Sequence, residues 1–264
     1  MKDYLDPQKS LVLFGLKEKI NFFIDLYNSK KFPHVLMLSG EKGSGKFTLI
    51  NHFLTYLFDK NNYDIENFTI NAQTPFYNQH SNNLFSNIIY LSGNNYKDTN
   101  INSIRNLKSK ILQSTISNKD RFIVFDDVEL FNINSLNALL KIIEEPSSNN
   151  YYLLINNKTK PIIETIHSRS LEINHILETN SRINIIKLLI ENLDLEPLID
   201  YELINLTPGN FLVFNYLCHE NKIDIDGDYI NNLDLLLSLY KKNKNINFIN
   251  LILLITDFYF IKQK

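Results

Sequence analysis

The sequence predicts an α/β fold, in which a parallel sheet carries helices on both faces, followed by an all-helical part. Three observations predict it: short apolar runs typical of buried strands, helical periodicity between them, and the loss of strand signals after Ser170. The predicted strands are residues 34–39, 87–91, 121–125 and 151–155. Strands that alternate with helices favour a parallel sheet, because each crossover packs a helix against it.

Apolar residues spaced three or four apart predict the helices. Up to Ser170 the predicted helices are residues 16–29, 48–58, 103–112, 135–145 and 162–167, and beyond it residues 181–193, 201–206, 211–218, 229–240 and 247–261. Asn134 is the predicted N-cap of the helix that Pro146 ends. Residues 60–83 are polar, rich in asparagine and poorly periodic, so we expect a long surface loop there.

The composition predicts a folded chain with little net charge. Its 264 residues carry a formal net charge of −2 and 44% hydrophobic residues, which argues against disorder and against holding nucleic acid by bulk positive charge. Cys218 is the only cysteine, so a disulfide framework and a multi-cysteine zinc site are excluded, and no metal site is predicted. Without a signal-peptide pattern or an apolar run long enough to cross a bilayer, we expect a cytoplasmic location.

Residues 40–46 (GEKGSGK) fit the first seven positions of the phosphate-loop pattern G-x-x-x-x-G-K-[ST]. The glycines let backbone N–H groups approach phosphate oxygens, and the lysine supplies a positive charge. The nucleotide-binding candidates of this loop are Gly40, Gly43, Ser44, Gly45 and Lys46. A chance glycine-rich turn is the alternative, but the apolar strand before the loop and the amphipathic helix after it favour a phosphate loop.

The eighth position of the pattern is Phe47, where complete sites have a serine or threonine that binds Mg²⁺. Thr48 follows, but one step along a helix turns a side chain by about 100°, which directs it away from the metal. Thr48 is therefore a candidate for nucleotide contact and not a metal ligand. The loop can hold phosphates, while metal–nucleotide binding and hydrolysis are expected to be weakened.

Residues 122–127 (FIVFDD) have the pattern of a buried strand that ends in two acids. Asp126 is placed to orient Mg²⁺ or its water. Asp127 stands where a glutamate usually polarises the attacking water. Its carboxylate falls about 1.5 Å short, since the side chain lacks one methylene, and this slows hydrolysis by orders of magnitude. A strand end with two solvated acids is the alternative interpretation.

A series of motifs downstream of these acids resembles one family. The motifs are residues 126–129 (DDVE), 137–141 (NALLK), 144–146 (EEP) and 168–170 (SRS). They are similar to the signature of bacterial clamp-loader AAA+ subunits, and the resemblance extends over residues 10–215. It implies an AAA+ P-loop domain over residues 1–172, a small helical lid over 173–212 and a short helical collar-type domain over 213–264.

Two branches of that family are similar to the chain: the delta-prime subunits of the DNA polymerase III clamp loader and the ATP-hydrolysing gamma/tau subunits. Phe47, Asp127 and Asn210, the last where a nucleotide-sensing arginine is common, resemble the delta-prime branch, whose site is often degenerate. The resemblance implies a subunit that supports ATP-dependent loading of the sliding clamp without ATPase activity of its own. The alternative is an active gamma/tau-type subunit or another AAA+ ATPase.

The resemblance also implies roles for single residues. Arg169 matches the arginine finger that reaches a neighbouring subunit's ATP site, the alternative being a surface arginine in an ordinary salt bridge. Asn156 and Asn157 occupy the sensor position, where they either orient water or serve the structure. ATP or ADP, bound weakly, is the one cofactor candidate. The implied partners are the gamma/tau and delta subunits, the sliding clamp, and primer–template DNA through the assembled complex, with no membrane.

Overall fold

A computed structural model of the chain describes residues 2–95, 99, 104 and 120–262. Contacts divide the chain into two compact units. The sheet unit is Asp6–Ile176, and the helical unit is Leu177–Lys264 together with Met1–Leu5. The predicted helix over residues 103–112 lies, except for Ile104, outside the described residues.

The sheet unit is built on a five-stranded parallel sheet with the order β4-β5-β6-β1-β7. Its strands are β1 (Val35–Ser39), β4 (Ile88–Ser92), β5 (Arg121–Asp126), β6 (Asn150–Asn156) and β7 (Leu171–Asn174). A separate antiparallel ribbon pairs β2 (Tyr63–Asp64) with β3 (Thr69–Ile70). Because all five strands run parallel, the segments that follow β1, β5 and β6 meet at one edge of the sheet.

Helices cover both faces of this sheet, as the sequence predicts. They are α1 (Lys17–Asn28), α2 (Lys46–Phe58), α3 (Pro75–Ser81), α4 (Ile133–Ile143) and α5 (Glu164–His167). On one face the ring of Phe122 lies 6.1 Å from that of Phe53 in α2. On the other face Ile123 belongs to a buried cluster with Leu136 and Leu139 of α4. Alternate residues of β5 thus enter two cores, and the α/β class is confirmed.

The expected long loop over residues 60–83 is wrong. The segment contains the β2–β3 ribbon and α3, and it buries Tyr63, Ile70 and Phe76 among its polar residues. Thr74 caps α3 by accepting a hydrogen bond from the Tyr77 N–H at 3.1 Å. Single apolar residues spaced between asparagines anchor this segment, and they are too sparse to show a period.

Two further features of the sheet unit differ from the sequence interpretation. The N-cap of α4 is Asn132, whose side chain accepts from the Ser135 N–H at 2.9 Å, and Asn134 lies inside the helix. Strand β7 was not predicted. It is a four-residue edge strand, and of its residues only Ile173 is apolar and partly buried. An edge strand of this length shows no apolar run in the sequence.

The helical unit contains α6 (Thr179–Leu193), α7 (Pro208–Asn221), α8 (Tyr229–Asn243) and α9 (Ile246–Lys262). These helices share one buried cluster that includes Ile186, Phe211, Leu236 and Leu251. The cluster joins residues on both sides of position 212, so the division of this part into a lid and a collar-type domain stays a prediction. Among the described residues, no helix is both long enough and apolar enough to cross a membrane.

The predicted helix over residues 201–206 is wrong, because this segment is an irregular turn. The buried guanidinium of Arg182 in α6 donates to the carbonyl oxygens of Tyr201, Ile204 and Leu206 at 3.0–3.1 Å. One cationic side chain therefore satisfies three backbone acceptors that a helix would have satisfied itself.

Candidate functional site

The phosphate loop, residues 40–46, connects the end of β1 to the start of α2, as the motif predicts. Gly43 and Gly45 have φ angles of 81° and 88°, in the left-handed region that favours glycine. Gly45 is the residue before the first turn of α2. The loop therefore presents the N-terminal end of a 13-residue helix, where backbone N–H groups and the helix dipole favour an anion.

Lys46 is turned back onto its own loop. Its ammonium group donates to the carbonyl oxygens of Gly40 at 2.8 Å and Glu41 at 2.6 Å, and to the hydroxyl of Ser44 at 3.3 Å. The residue is only 2% exposed. Burial lowers the pKa of Lys46 to about 8, although Asp126, Glu129 and Asp127 oppose this. A phosphate would have to draw this ammonium away from three protein acceptors.

The position of the missing metal ligand is filled by an aromatic pair. The ring of Phe47 stacks on that of Tyr90 in β4, with 5.5 Å between the ring centroids. Neither side chain offers a charged oxygen to a divalent cation. Thr48 follows Phe47 in the first turn of α2 and is partly exposed.

The two acids at the end of β5 have different surroundings. Asp126 accepts a hydrogen bond from the Asp127 N–H at 2.9 Å. Burial, and then the negative charge of Asp127, raise the pKa of Asp126 to about 6. Asp127 has a left-handed backbone with φ 48° and is 2% exposed. Asp126 is therefore harder to ionise than an ordinary aspartate.

Three side chains of the protein bind the carboxylate of Asp127. Lys42 of the phosphate loop donates at 3.1 Å, Asn157 donates its amide at 2.7 Å, and the amide of Asn94 also donates. Asp127 thus closes a bridge between the phosphate loop and the ends of β4 and β6. With its oxygens engaged in this way, the carboxylate has little capacity left to polarise a water molecule.

Glu129 is a structural member of this site that the sequence interpretation missed. It is 5% exposed and accepts from the hydroxyl of Thr159 at 2.8 Å and from the Asn157 N–H at 3.2 Å. Asn156, the predicted sensor, donates to the hydroxyl of Ser39 at 3.3 Å. Of the two asparagines, Asn157 contacts the acid and Asn156 contacts β1.

Arg169 lies apart from this cluster, just after α5. Its guanidinium donates to the carboxylate of Glu144 at 2.7 Å and to the carbonyl oxygen of Thr165 at 3.2 Å. The side chain is 35% exposed. Neither acceptor belongs to the phosphate loop, and the exposed side chain presents the guanidinium on the surface of the sheet unit.

The residues of this site suit the binding of a phosphate group better than they suit the binding of Mg²⁺. The loop has the glycines, the helix end and the lysine that phosphate oxygens need. The hydroxyl that binds Mg²⁺ is replaced by Phe47, and Asp127 is engaged by the protein. Within residues 2–95 and 120–262, no group of three or more His, Cys, Asp or Glu side chains could hold a metal ion.

The family model described as "DNA polymerase III, delta subunit" matches residues 15–179. The delta' subunit of DNA polymerase III from Buchnera aphidicola subsp. Baizongia pistaciae is 29% identical over 143 residues, which cover 53% of this chain and 43% of the relative. The corresponding subunit of Buchnera aphidicola subsp. Schizaphis graminum is 29% identical over 149 residues, 55% of this chain and 44% of the relative.

The chain thus matches less than half the length of either relative. Among solved structures, a DNA polymerase III gamma subunit-related protein of Thermotoga maritima is similar at 15% identity with a TM-score of 0.43. The superposition covers 87% of this chain and 75% of that one.

Proposed function

This chain belongs to the DNA polymerase III delta subunit family, and we propose that it acts as the delta-prime subunit of a clamp loader. In this role it supports ATP-dependent loading of the sliding clamp during DNA replication, without hydrolysing ATP itself. The observation that carries the proposal is the family match over residues 15–179, together with relatives that bear the delta-prime name.

The chemistry proposed for the chain is delivered by Arg169 to the ATP site of a neighbouring subunit. Its position after α5, its 35% exposed side chain and its planar guanidinium support this assignment. A guanidinium offers five donors in a fixed fork, which suits the charge that develops on a transferred phosphoryl group. Assembly with gamma/tau and delta subunits, the sliding clamp and primer–template DNA, and a cytoplasmic location, belong to the same proposal.

The chain's own nucleotide site is proposed to be degenerate, holding ATP or ADP weakly or not at all. The engaged Lys46, the Phe47–Tyr90 stack and the engaged Asp127 support this proposal. The residues proposed to line it are Gly40, Gly43, Ser44, Gly45, Lys46, Thr48, Asp126, Asp127 and Asn156. The rival function is an active ATPase of the gamma/tau type or another AAA+ class. The intact glycines and Lys46 of the phosphate loop favour this alternative.

Turnover measurements separate these functions. The purified chain should show negligible ATP hydrolysis, and a rate of about 1 per second, ordinary for an enzyme, contradicts the proposal. In a reconstituted loader, Arg169→Ala should lower the DNA-stimulated rate of ATP hydrolysis at the neighbouring site that Arg169 reaches by about a thousandfold or more. Arg169→Lys should recover little of it, since a lysine keeps the charge but loses the fork. Lys31→Ala, which removes an exposed cation outside the family motifs, serves as the control.

Association provides the second test. A pull-down with the tagged chain should recover clamp-loader subunits. If loader subunits and clamp are both absent while the chain is folded, the clamp-loader role is wrong. Full ATPase activity of a loader that contains Arg169→Ala leaves the subunit assignment in place but overturns the role of the finger.

A further inference from the structure

His175 sits at the point where β7 reaches the phosphate loop. Its backbone N–H donates to the carbonyl oxygen of Ser39 at 2.7 Å, which extends the β1–β7 pairing by one step. A Cβ added at Gly40 would collide with the carbonyl oxygen of His175. The backbone of His175 therefore packs directly against the first residue of the loop, and glycine is required at position 40 for this close approach.

The imidazole of His175 joins the far side of the loop to α1. Its Nε2 lies 2.8 Å from the carbonyl oxygen of Ser44, and its Nδ1 lies 3.1 Å from the ammonium of Lys19. A carbonyl oxygen only accepts and an ammonium only donates, so the proton of the neutral ring is on Nε2. The residue is 1% exposed. Both ring nitrogens are satisfied in one tautomer only.

We propose that His175 is a positioning residue for the phosphate loop. Supported by Lys19, His175 holds residues 40–46 in the conformation described above when no nucleotide is bound. His175 binds the loop at Ser44 and packs on it at Gly40, while Lys46 spans the carbonyl oxygens of Gly40 and Glu41 from inside. The loop is thus fixed at both ends and across its middle by groups of the protein. Nucleotide is not needed to order it.

This role belongs to the free chain and does not depend on assembly into a loader. It also ties the loop to β7, which begins two residues after Arg169. Burial, and then the charge of Lys19, lower the pKa of His175 to about 4, which keeps the ring neutral as the hydrogen-bond pattern requires.

Isosteric variants of the full chain test the proposal by amide hydrogen exchange of residues 40–46 in the absence of nucleotide. In His175→Gln, the side-chain amide nitrogen reaches the place of Nε2 and can still donate to Ser44, so protection should stay within about threefold of the parent chain. His175→Asn has the same kind of amide but is one methylene too short, and exchange of the loop should accelerate at least tenfold. The amides of β5 should be unchanged in both variants.

Lys19→Met tests the support behind the ring, since it keeps the aliphatic stem and removes the ammonium. The ¹⁵N spectrum of the parent chain should show the Nε2–H tautomer of His175 alone. In Lys19→Met the proton should stay on Nε2, because the Ser44 carbonyl oxygen still requires a donor there, and the resonance of the unprotonated Nδ1 should shift because it loses its hydrogen-bond donor. Lys31→Met, which replaces an exposed lysine just beyond α1, should leave the spectrum unchanged.

Three results overturn the proposal: equal protection of the loop in the Gln and Asn variants, a His175 ring protonated on Nδ1, or a more than tenfold gain in loop protection when Mg·ADP is added to the parent chain. Each of these results can be measured on a folded chain, either the parent or a variant. Since none of these measurements involves a partner, failure here is distinct from failure of the clamp-loader role.

Discussion

At the residue scale, Arg169 is oriented by a single acidic side chain. Glu144 accepts from its guanidinium at 2.7 Å, and the two side chains are 35% and 47% exposed. A solvent-exposed ion pair contributes about 0–1 kcal/mol, because water screens the charges and both side chains lose freedom. Glu144 therefore biases the direction of Arg169 without locking it, which suits a group proposed to reach into another subunit.

The adjacent acids Glu144 and Glu145 allow a matched test of this bias. In a reconstituted loader, Glu144→Ala should lower the kcat of the Arg169-dependent ATPase about two- to fivefold, far less than removal of Arg169 itself. The KM for ATP should be unchanged, since the ion pair does not contact the nucleotide. Glu145→Ala, at an exposed position next in the chain, should have no effect. Equal losses in both variants would show that the surface charge matters and the ion pair does not.

At the scale of elements, the sequence predicted well those strands and helices whose pattern lies within their own residues. Strands β1, β5 and β6 are continuous apolar runs, and each is buried along nearly its whole length. Strand β7 and the ribbon of β2 and β3 were missed, because two to four residues carry no measurable period. Their places are fixed by pairing with distant parts of the chain, which no window of sequence contains.

The candidate site divides in the same way. The glycines, Lys46 and the two acids were predicted, because each belongs to a motif of fixed spacing. The contacts of Asp127 with Lys42, Asn94 and Asn157 join residues up to 85 positions apart and appear only when the strand ends meet. His175 gave no signal, since a single histidine after a short edge strand matches no pattern.

The N-cap of α4 is an element whose correction can be tested directly. Asn132 accepts from the Ser135 N–H and also donates to the carbonyl oxygen of Thr99 at 2.7 Å. Asn132→Ala should lower the free energy of unfolding by about 1 kcal/mol, the usual cost of a lost N-cap. Asn134→Ala, inside the helix and exposed, should change it by less than about 0.5 kcal/mol, since alanine is the better helix former. Chemical denaturation of both variants makes the comparison, and the reverse order would restore Asn134 as the cap.

At the scale of the whole molecule, three buried histidines link the stability of the sheet unit to pH. Burial is the main cause that lowers the pKa of His52, His80 and His175 to about 4 each. In the unfolded chain a histidine has its ordinary value of about 6.5. As pH falls through 6.5 the unfolded state gains protons that the folded state does not bind. The free energy of unfolding therefore decreases between pH 6.5 and pH 4.

Asp126 acts in the opposite direction over part of this range. Its folded pKa of about 6 lies above the ordinary value of 3.8, so the folded state binds this proton first and gains stability as pH falls from 6 to 3.8. One pKa unit corresponds to about 1.4 kcal/mol, and three histidines outweigh one carboxyl group. We expect the free energy of unfolding, measured in denaturant, to fall by about 4 kcal/mol between pH 7 and pH 5.

Removal of the opposing group distinguishes this explanation from a general acid effect. Asp126→Asn cannot take up the proton, so its free energy of unfolding should fall more steeply between pH 6 and pH 5 than that of the parent chain, by about 1 kcal/mol. A free energy that stays level or rises from pH 7 to pH 5 contradicts the three neutral histidines. If the change in free energy of unfolding between pH 6 and pH 5 is the same in Asp126→Asn as in the parent chain, the carboxyl group of Asp126 is already ionised in the folded chain. It would then be able to bind a cation.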